Sequence, residues 1–213
     1  LKMGNHLAVA LLVLLWLNFS CNGKSTDQPR GEDMVEQESG KTLIVYLSRT
    51  NNTKAVAELI QSQVGGDLVE LQLQDPYPEN YREIVNQVDR ENETGYLPPL
   101  KTGIKELNQY DTIFIGFPTW DMQLPPPMKS FLNQYTLSGK TIIPFNTNGG
   151  YGLGSSIQQI EELCPECNIL ETYSTRGGLE RDGIYLAIEG ERREEVRSQV
   201  NDWLQKIGLM QQN

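Results

Sequence analysis

Histidine is almost missing from this chain of 213 residues: His6 is the only one, inside an apolar leader. Serine-hydrolase triads, Cys-His nucleophiles and His-ligated metal sites are therefore excluded from everything that follows it. Cysteine is scarce as well, limited to Cys21, Cys164 and Cys167. No Gly-x-x-x-x-Gly-Lys occurs, which removes the Walker loop, and no Gly-x-Gly-x-x-Gly, which removes the dinucleotide fingerprint. Positive charge is in deficit, with 18 Lys and Arg against 28 Asp and Glu, a net charge of −10. That balance argues against nucleic acid or anionic lipid as a partner of the folded part. Any chemistry must come from carboxylates or from a bound cofactor.

What is present first is an amino-terminal leader. Lys2 precedes an apolar core from Leu7 to Leu17, too short to cross a bilayer comfortably and of the length of a signal-peptide core. Asn18-Phe19-Ser20-Cys21 follows. A small residue directly before cysteine resembles the lipobox of bacterial lipoproteins, with Asn18 where leucine is usual. Residues 1–20 are thus expected to be a signal peptide and Cys21 an acylated mature terminus, against simple secretion or a retained anchor. Removing Lys2 takes the charge from −10 to −11. Residues 21–40 are polar, without apolar periodicity, and read as a disordered tether spanning roughly 25 Å. Residues 41–213 are the size of one domain.

That domain alternates strand and helix without an internal repeat. Strands are expected at Thr42–Ser48, Asp67–Leu73, Asp111–Phe117, Thr141–Asn146 and Ile169–Tyr173. Helices are expected at Thr53–Val64, Asn80–Glu91, Pro126–Tyr135, Ser155–Leu163 and Glu191–Ile207. Such alternation implies right-handed crossovers and a doubly wound parallel sheet of five strands in a three-layer α/β/α sandwich. Ligands of such sheets bind at the carboxyl ends of the strands, where the strand order reverses. The stretch from Asn92 to Leu100 reads as a loop, and Ile184–Ile188 as either a short strand or a helix start.

Three turns at that end carry the chemistry. Ser48-Arg49-Thr50-Asn51-Asn52-Thr53 joins an apolar strand to a helix start, where free backbone N–H groups and the helix dipole favour an anion. Ser48, Thr50 and Thr53 add hydroxyls and Asn52 an amide. Gly116-Phe117-Pro118-Thr119-Trp120-Asp121 places a large flat side chain just past a buried strand, suited to stacking on a planar ring. The run from Thr147 through Gly149, Gly150, Tyr151 and Gly152 to Ser156 allows close backbone approach to a ligand. Plain helix caps, a locally packed Trp and a flexible linker are the alternatives, turn by turn.

The first turn resembles the FMN-phosphate loop of flavodoxins, Ser/Thr-x-Thr-Gly-Asn-Thr, with Asn51 in place of the glycine. Asn tolerates the left-handed backbone better than most residues. Asp75-Pro76-Tyr77-Pro78, Tyr81 and the other two turns extend the resemblance to flavodoxin-like proteins over nearly all of Lys41–Gly208. The resemblance implies strand order 2-1-3-4-5 and FMN as cofactor. It places the phosphate on Ser48, Thr50, Asn51, Asn52 and Thr53. The ring would lie between Trp120 and Tyr151, beside Pro118, Thr119, Asp121, Thr147, Gly149, Gly150 and Gly152.

The expected function is electron transfer by a flavodoxin-like protein exported to the bacterial cell envelope and held by a lipid on Cys21. Its partner would be a redox protein or a quinone-like acceptor. The alternatives are an FMN-dependent reductase of quinones or small molecules using NAD(P)H, and a lipoprotein that kept the fold but lost the flavin. Cys164-Pro165-Glu166-Cys167 lies at a helix end rather than a helix start, and reads as a structural disulfide or two buried thiols in preference to a redox pair.

Overall fold

A computed structural model describes residues 40–210. The expected signal peptide, Cys21 and nearly all of the expected tether lie outside the described residues. Leu43, Ile44 and Val45 are wholly buried because strand β1 (Lys41–Tyr46) is covered on both faces. It is followed by α1 (Asn52–Val64), β2 (Asp67–Glu70), α2 (Tyr81–Thr94), β3 (Tyr110–Pro118), α3 (Pro126–Gln134) and β4 (Thr141–Asn148). Then come α4 (Ser156–Leu163), β5 (Asn168–Ile169), β6 (Tyr173–Arg176) and α5 (Gly190–Lys206). The sheet order is β2-β1-β3-β4-β5, with β6 also on β4, and every named strand pair is parallel. This is the doubly wound arrangement that the alternation implies.

Side chains alternate across the sheet and sort the core into two layers. Leu43, Val45, Ile113, Ile115 and Phe117 face Met128 and Phe131 of α3 and Ile160 of α4. Ile44, Phe114, Ile143 and Phe145 face Val56, Leu59 and Ile60 of α1 and Val196, Val200 and Leu204 of α5. Each fully buried Phe or Leu contributes roughly 1.5–3 kcal/mol by leaving water. Gly116 in β3 lets the Phe145 ring lie flat on the sheet, since a Cβ there would come within 2.0 Å of that ring.

The fifth strand departs from expectation. In place of one strand over Ile169–Tyr173 the edge is broken into β5 and β6, in register Ile142↔Ile169 and then Phe145↔Tyr173. β4 advances three residues while the edge advances four, so one extra residue bulges out, which an edge strand tolerates. Strand β2 ends at Glu70, short of Leu73, which pairs instead with Leu100 in an antiparallel bridge. Helix α2 runs three residues further than expected, to Thr94. Asn80 caps its start by accepting from the N–H groups of Arg82 and Glu83, and Gly95 ends it in the left-handed conformation. The Asn92–Leu100 stretch is thus helical at its beginning. Ile184–Ile188 is neither strand nor helix.

Cys164 and Cys167 are joined in a disulfide. It lies between the end of α4 and the start of β5, at the opposite end of the sheet from the β1, β3 and β4 turns. Among the described residues no helix is long and apolar enough to cross a membrane.

Candidate functional site

The turns after β1, β3 and β4 meet in one cleft of about 290 Å³ at the carboxyl ends of the strands. Strand order reverses here, because β1 is followed by β2 on one side and β3 on the other. Of the residues singled out from sequence, Thr50, Asn52, Thr53, Pro118, Thr119, Trp120, Asp121, Thr147, Gly149 and Tyr151 line this cleft. Ser48, Asn51, Gly150 and Gly152 stand behind it and shape its loops.

The first turn is built around Asn51, which takes the left-handed conformation at φ 63°. This turns the chain into α1, and the Ser48 hydroxyl closes the turn by accepting from the Lys54 N–H at 3.2 Å. The Ala55 N–H bonds the Asn51 carbonyl. Among the described residues, the backbone N–H groups of Thr50, Asn51, Asn52 and Thr53 then donate to no protein acceptor. These unspent donors stand at the positive end of a 13-residue helix. The Thr53 and Thr147 hydroxyls share a buried hydrogen bond of 2.8 Å, tying the first turn to the third.

Asn52 has a different task from the one expected. Its amide donates to the Tyr185 carbonyl at 2.6 Å and to the Thr50 hydroxyl at 2.9 Å. Its carbonyl oxygen accepts from the N–H groups of Ala187 and Ile188. The side chain is therefore saturated by protein, and Asn52 can offer a ligand only its backbone N–H.

The second turn is tight. Trp120 and Gln123 bond each other's backbone, with Asp121 and Met122 between them both left-handed, at φ 49° and 52°. Such a two-residue turn normally contains glycine or asparagine, and holding methionine there is unfavourable. A polar network holds the turn. Asp121 accepts from Asn92 and Gln123, while Lys129 donates to both of those side chains. Burial lowers the Lys129 pKa, and Asp121 opposes that effect. Trp120 stands half-buried with its ring edge-on to Tyr77, centroids 5.5 Å apart. Burial and the partner Glu91 raise the Tyr77 pKa, and the Tyr77 hydroxyl bonds the Glu91 carboxylate.

The third turn is organised by Asn148, whose Oδ1 accepts from the N–H groups of Gly150 and Gly152. Gly152 returns its carbonyl to the Thr119 hydroxyl at 2.7 Å, joining the second and third turns. Tyr151 stands at the rim, 60% exposed, its hydroxyl accepting from Arg181.

A fourth segment, unassigned from the sequence, completes the cleft. Gly177, Gly178, Leu179, Glu180 and Arg181 follow β6, and Gly178 must be glycine because a Cβ would come within 1.9 Å of the Tyr185 carbonyl. Arg49 reaches across from the first turn and grips Glu180 through two guanidinium nitrogens, at 2.8–3.0 Å. Nη1 and Nη2 also donate to the carbonyls of Pro78 and Glu79, respectively. Arg49 was visible in the first motif, but its partner Glu180 lies 131 residues further along the chain.

The free N–H groups of Thr50, Asn52 and Thr53 at a helix start, with that of Asn51 beside them, and a flat indole form a donor set that fits a phosphate-bearing planar ligand. A family model described as flavodoxin matches residues 41–189. The chain belongs to the flavodoxin family. A flavodoxin of Synechocystis is 26% identical over 127 residues, covering 58% of this chain and 61% of that relative's own length. Among solved structures, a candidate flavoprotein from Bacteroides eggerthii superposes with a TM-score of 0.63 at 26% identity. That overlap covers 79% of this flavodoxin-family chain and 98% of the other. A Lactobacillus acidophilus flavoprotein solved in complex with FMN superposes at 0.59 and 23% identity, over 64% and 93% of the two chains, a likeness of fold.

Proposed function

We propose that this flavodoxin-family chain binds FMN non-covalently and transfers electrons through it. The observation that carries the reading is the convergence of the β1, β3 and β4 turns on one cleft, with the N–H groups of Thr50–Thr53 left without protein acceptors. Those groups would hold the phosphate, helped by the Thr50 hydroxyl. Trp120 and Tyr151 would flank the ring, with Pro118, Thr119, Thr147 and Gly149 along the cleft. FMN supplies the redox chemistry; the protein binds it, orients it and sets how much water reaches it. Arg49, the cation within Ser48–Thr53, is paired with Glu180. The backbone donors and the helix dipole would carry most of the phosphate's neutralisation.

The cellular setting belongs to the same proposal and is supported by sequence. A lipid on Cys21 would hold the domain at the envelope membrane by a tether, with a redox protein or a quinone-like molecule as partner. An acidic protein of this charge is poorly suited to anionic partners.

The test is a comparison of ligands. FMN should bind at least a hundredfold more tightly than riboflavin, a difference of roughly 2.7 kcal/mol. Equal affinity would remove the phosphate assignment, and no binding of either would remove the flavin.

A further inference from the structure

On the α2 side of Trp120, adjoining the cleft, lies a second cavity of about 360 Å³. It shares Arg49, Tyr81, Thr119, Trp120, Asp121 and Glu180 with the cleft. Its floor is apolar: Ile84, Val85 and Val88 lie on one stripe of α2, and Trp120 closes the side. A volume of that size is in the range of small-molecule sites, which combine apolar walls with few polar groups.

Two further features define what fits. The first is charge. Asp89, Asp121 and Glu180 bring three carboxylates, against one guanidinium, Arg49, that is already bound to Glu180. The surplus of negative charge disfavours phosphorylated or carboxylated ligands, nicotinamide nucleotides among them. The second is unspent donors. Among the described residues the Tyr81 hydroxyl and the Trp120 indole N–H donate to no protein acceptor, and the indole nitrogen is not sealed from solvent. A half-buried indole N–H normally finds a partner. The complementary ligand is uncharged, flat and apolar, and carries hydrogen-bond acceptors.

We propose that this cavity binds an uncharged planar molecule with carbonyl acceptors, a quinone by chemical class, against α2 and Trp120. Its role as seat of the electron acceptor rests on the FMN reading above; its occupancy does not. In that role the quinone would take two electrons and two protons from a fully reduced flavin held in the cleft. It would leave as a hydroquinone, with the flavin left oxidised.

The experiment titrates full-length protein, its tryptophans labelled with ¹⁵N, with duroquinone, which is neutral and has no free ring position for thiol addition. The Trp120 indole N–H resonance, assigned by its loss in Trp120→Phe, should shift saturably. That of Trp203, bonded to the Glu171 carbonyl on the far face, should not. Anthraquinone-2-sulfonate should bind at least tenfold more weakly. Val85→Glu should weaken duroquinone at least tenfold, and Tyr81→Phe, at an exposed position that leaves folding intact, about fivefold through one lost hydrogen bond. An unmoved Trp120 resonance, equal binding of the sulfonate, or unchanged affinity in both variants would overturn the proposal. The titration is run with and without FMN. Saturable shifts without any FMN binding keep the cavity and remove the flavin reading. FMN binding without those shifts removes the cavity alone.

Discussion

Replacing Asn52 by Ala removes a side chain that the protein, rather than a ligand, consumes. Three bonds to a distant segment go with it: Nδ2 to the Tyr185 carbonyl at 2.6 Å, and Oδ1 to the N–H groups of Ala187 and Ile188 at 2.9 and 3.1 Å. At about 1 kcal/mol net each they contribute about 3 kcal/mol, and stranding the donor of buried Ile188 raises the loss to about 3–5 kcal/mol. That is a large part of the roughly 5–15 kcal/mol that stabilises a domain. Urea unfolding should show the lower midpoint with an unchanged slope. Native-state hydrogen exchange should show Ala187 and Ile188 opening faster than the β3 amides. Asn52→Asp separates structure from binding. It keeps an acceptor for Ala187 and Ile188, so it should lose only about 1–3 kcal/mol. It also puts a carboxylate behind the phosphate cradle, so FMN should weaken more than in the alanine variant. A stability loss under about 1 kcal/mol in Asn52→Ala, with Ala187 and Ile188 exchanging no faster, would refute this assignment.

Cys164→Ser with Cys167→Ser should lose about 2 kcal/mol, the chain-entropy value for so short a loop, and leave FMN affinity unchanged, as titration would show. Burial, then the charges of Glu70 and Glu58, push the Tyr46 phenol from 10.0 up to about 12. The folded state therefore holds a proton that the unfolded state releases, so this stabilisation is complete below pH 10 and is lost as pH rises toward 12. Melting temperatures across that range should fall, and fall less steeply in Tyr46→Phe. A residual fall remains, because burial also raises the Tyr173 phenol and the Asp67 hydrogen bond raises that of Tyr110. Labelled palmitate should enter the full-length protein in cells but not Cys21→Ser; equal labelling would remove the lipid anchor.

The layer order was legible because it rests on local pattern. Apolar runs such as Leu43–Leu47 and Ile113–Phe117 must be covered on both faces, and helical spacing in Val56, Leu59 and Ile60 supplies the cover. The first turn was legible for the same reason: a strand entering a helix start leaves its N–H groups free whatever lies elsewhere. The left-handed backbone at Asn51, where the resembled loop has glycine, is one that asparagine tolerates. The bulge between β5 and β6 was not legible, since it depends on register against β4, a count between two strands.

Composition and local pattern alone determined the α/β class, the three loops and the exclusion of histidine chemistry. Tertiary structure decided what each polar side chain does. Asn52 looked like a ligand donor until the chain brought Tyr185, Ala187 and Ile188 against it. Arg49, inside the same turn, spends its guanidinium on Glu180 and on the carbonyls of Pro78 and Glu79, partners that no local pattern names. The fourth wall of the cleft, Gly177 to Arg181, is held to the other turns by that clasp, by the Gly177 N–H on the Asn148 carbonyl and by Arg181 on the Tyr151 hydroxyl. The physical reason is range. Backbone geometry and apolar periodicity act between near neighbours in sequence. A hydrogen bond is satisfied by whichever group the fold delivers to within 3 Å, however distant it is along the chain.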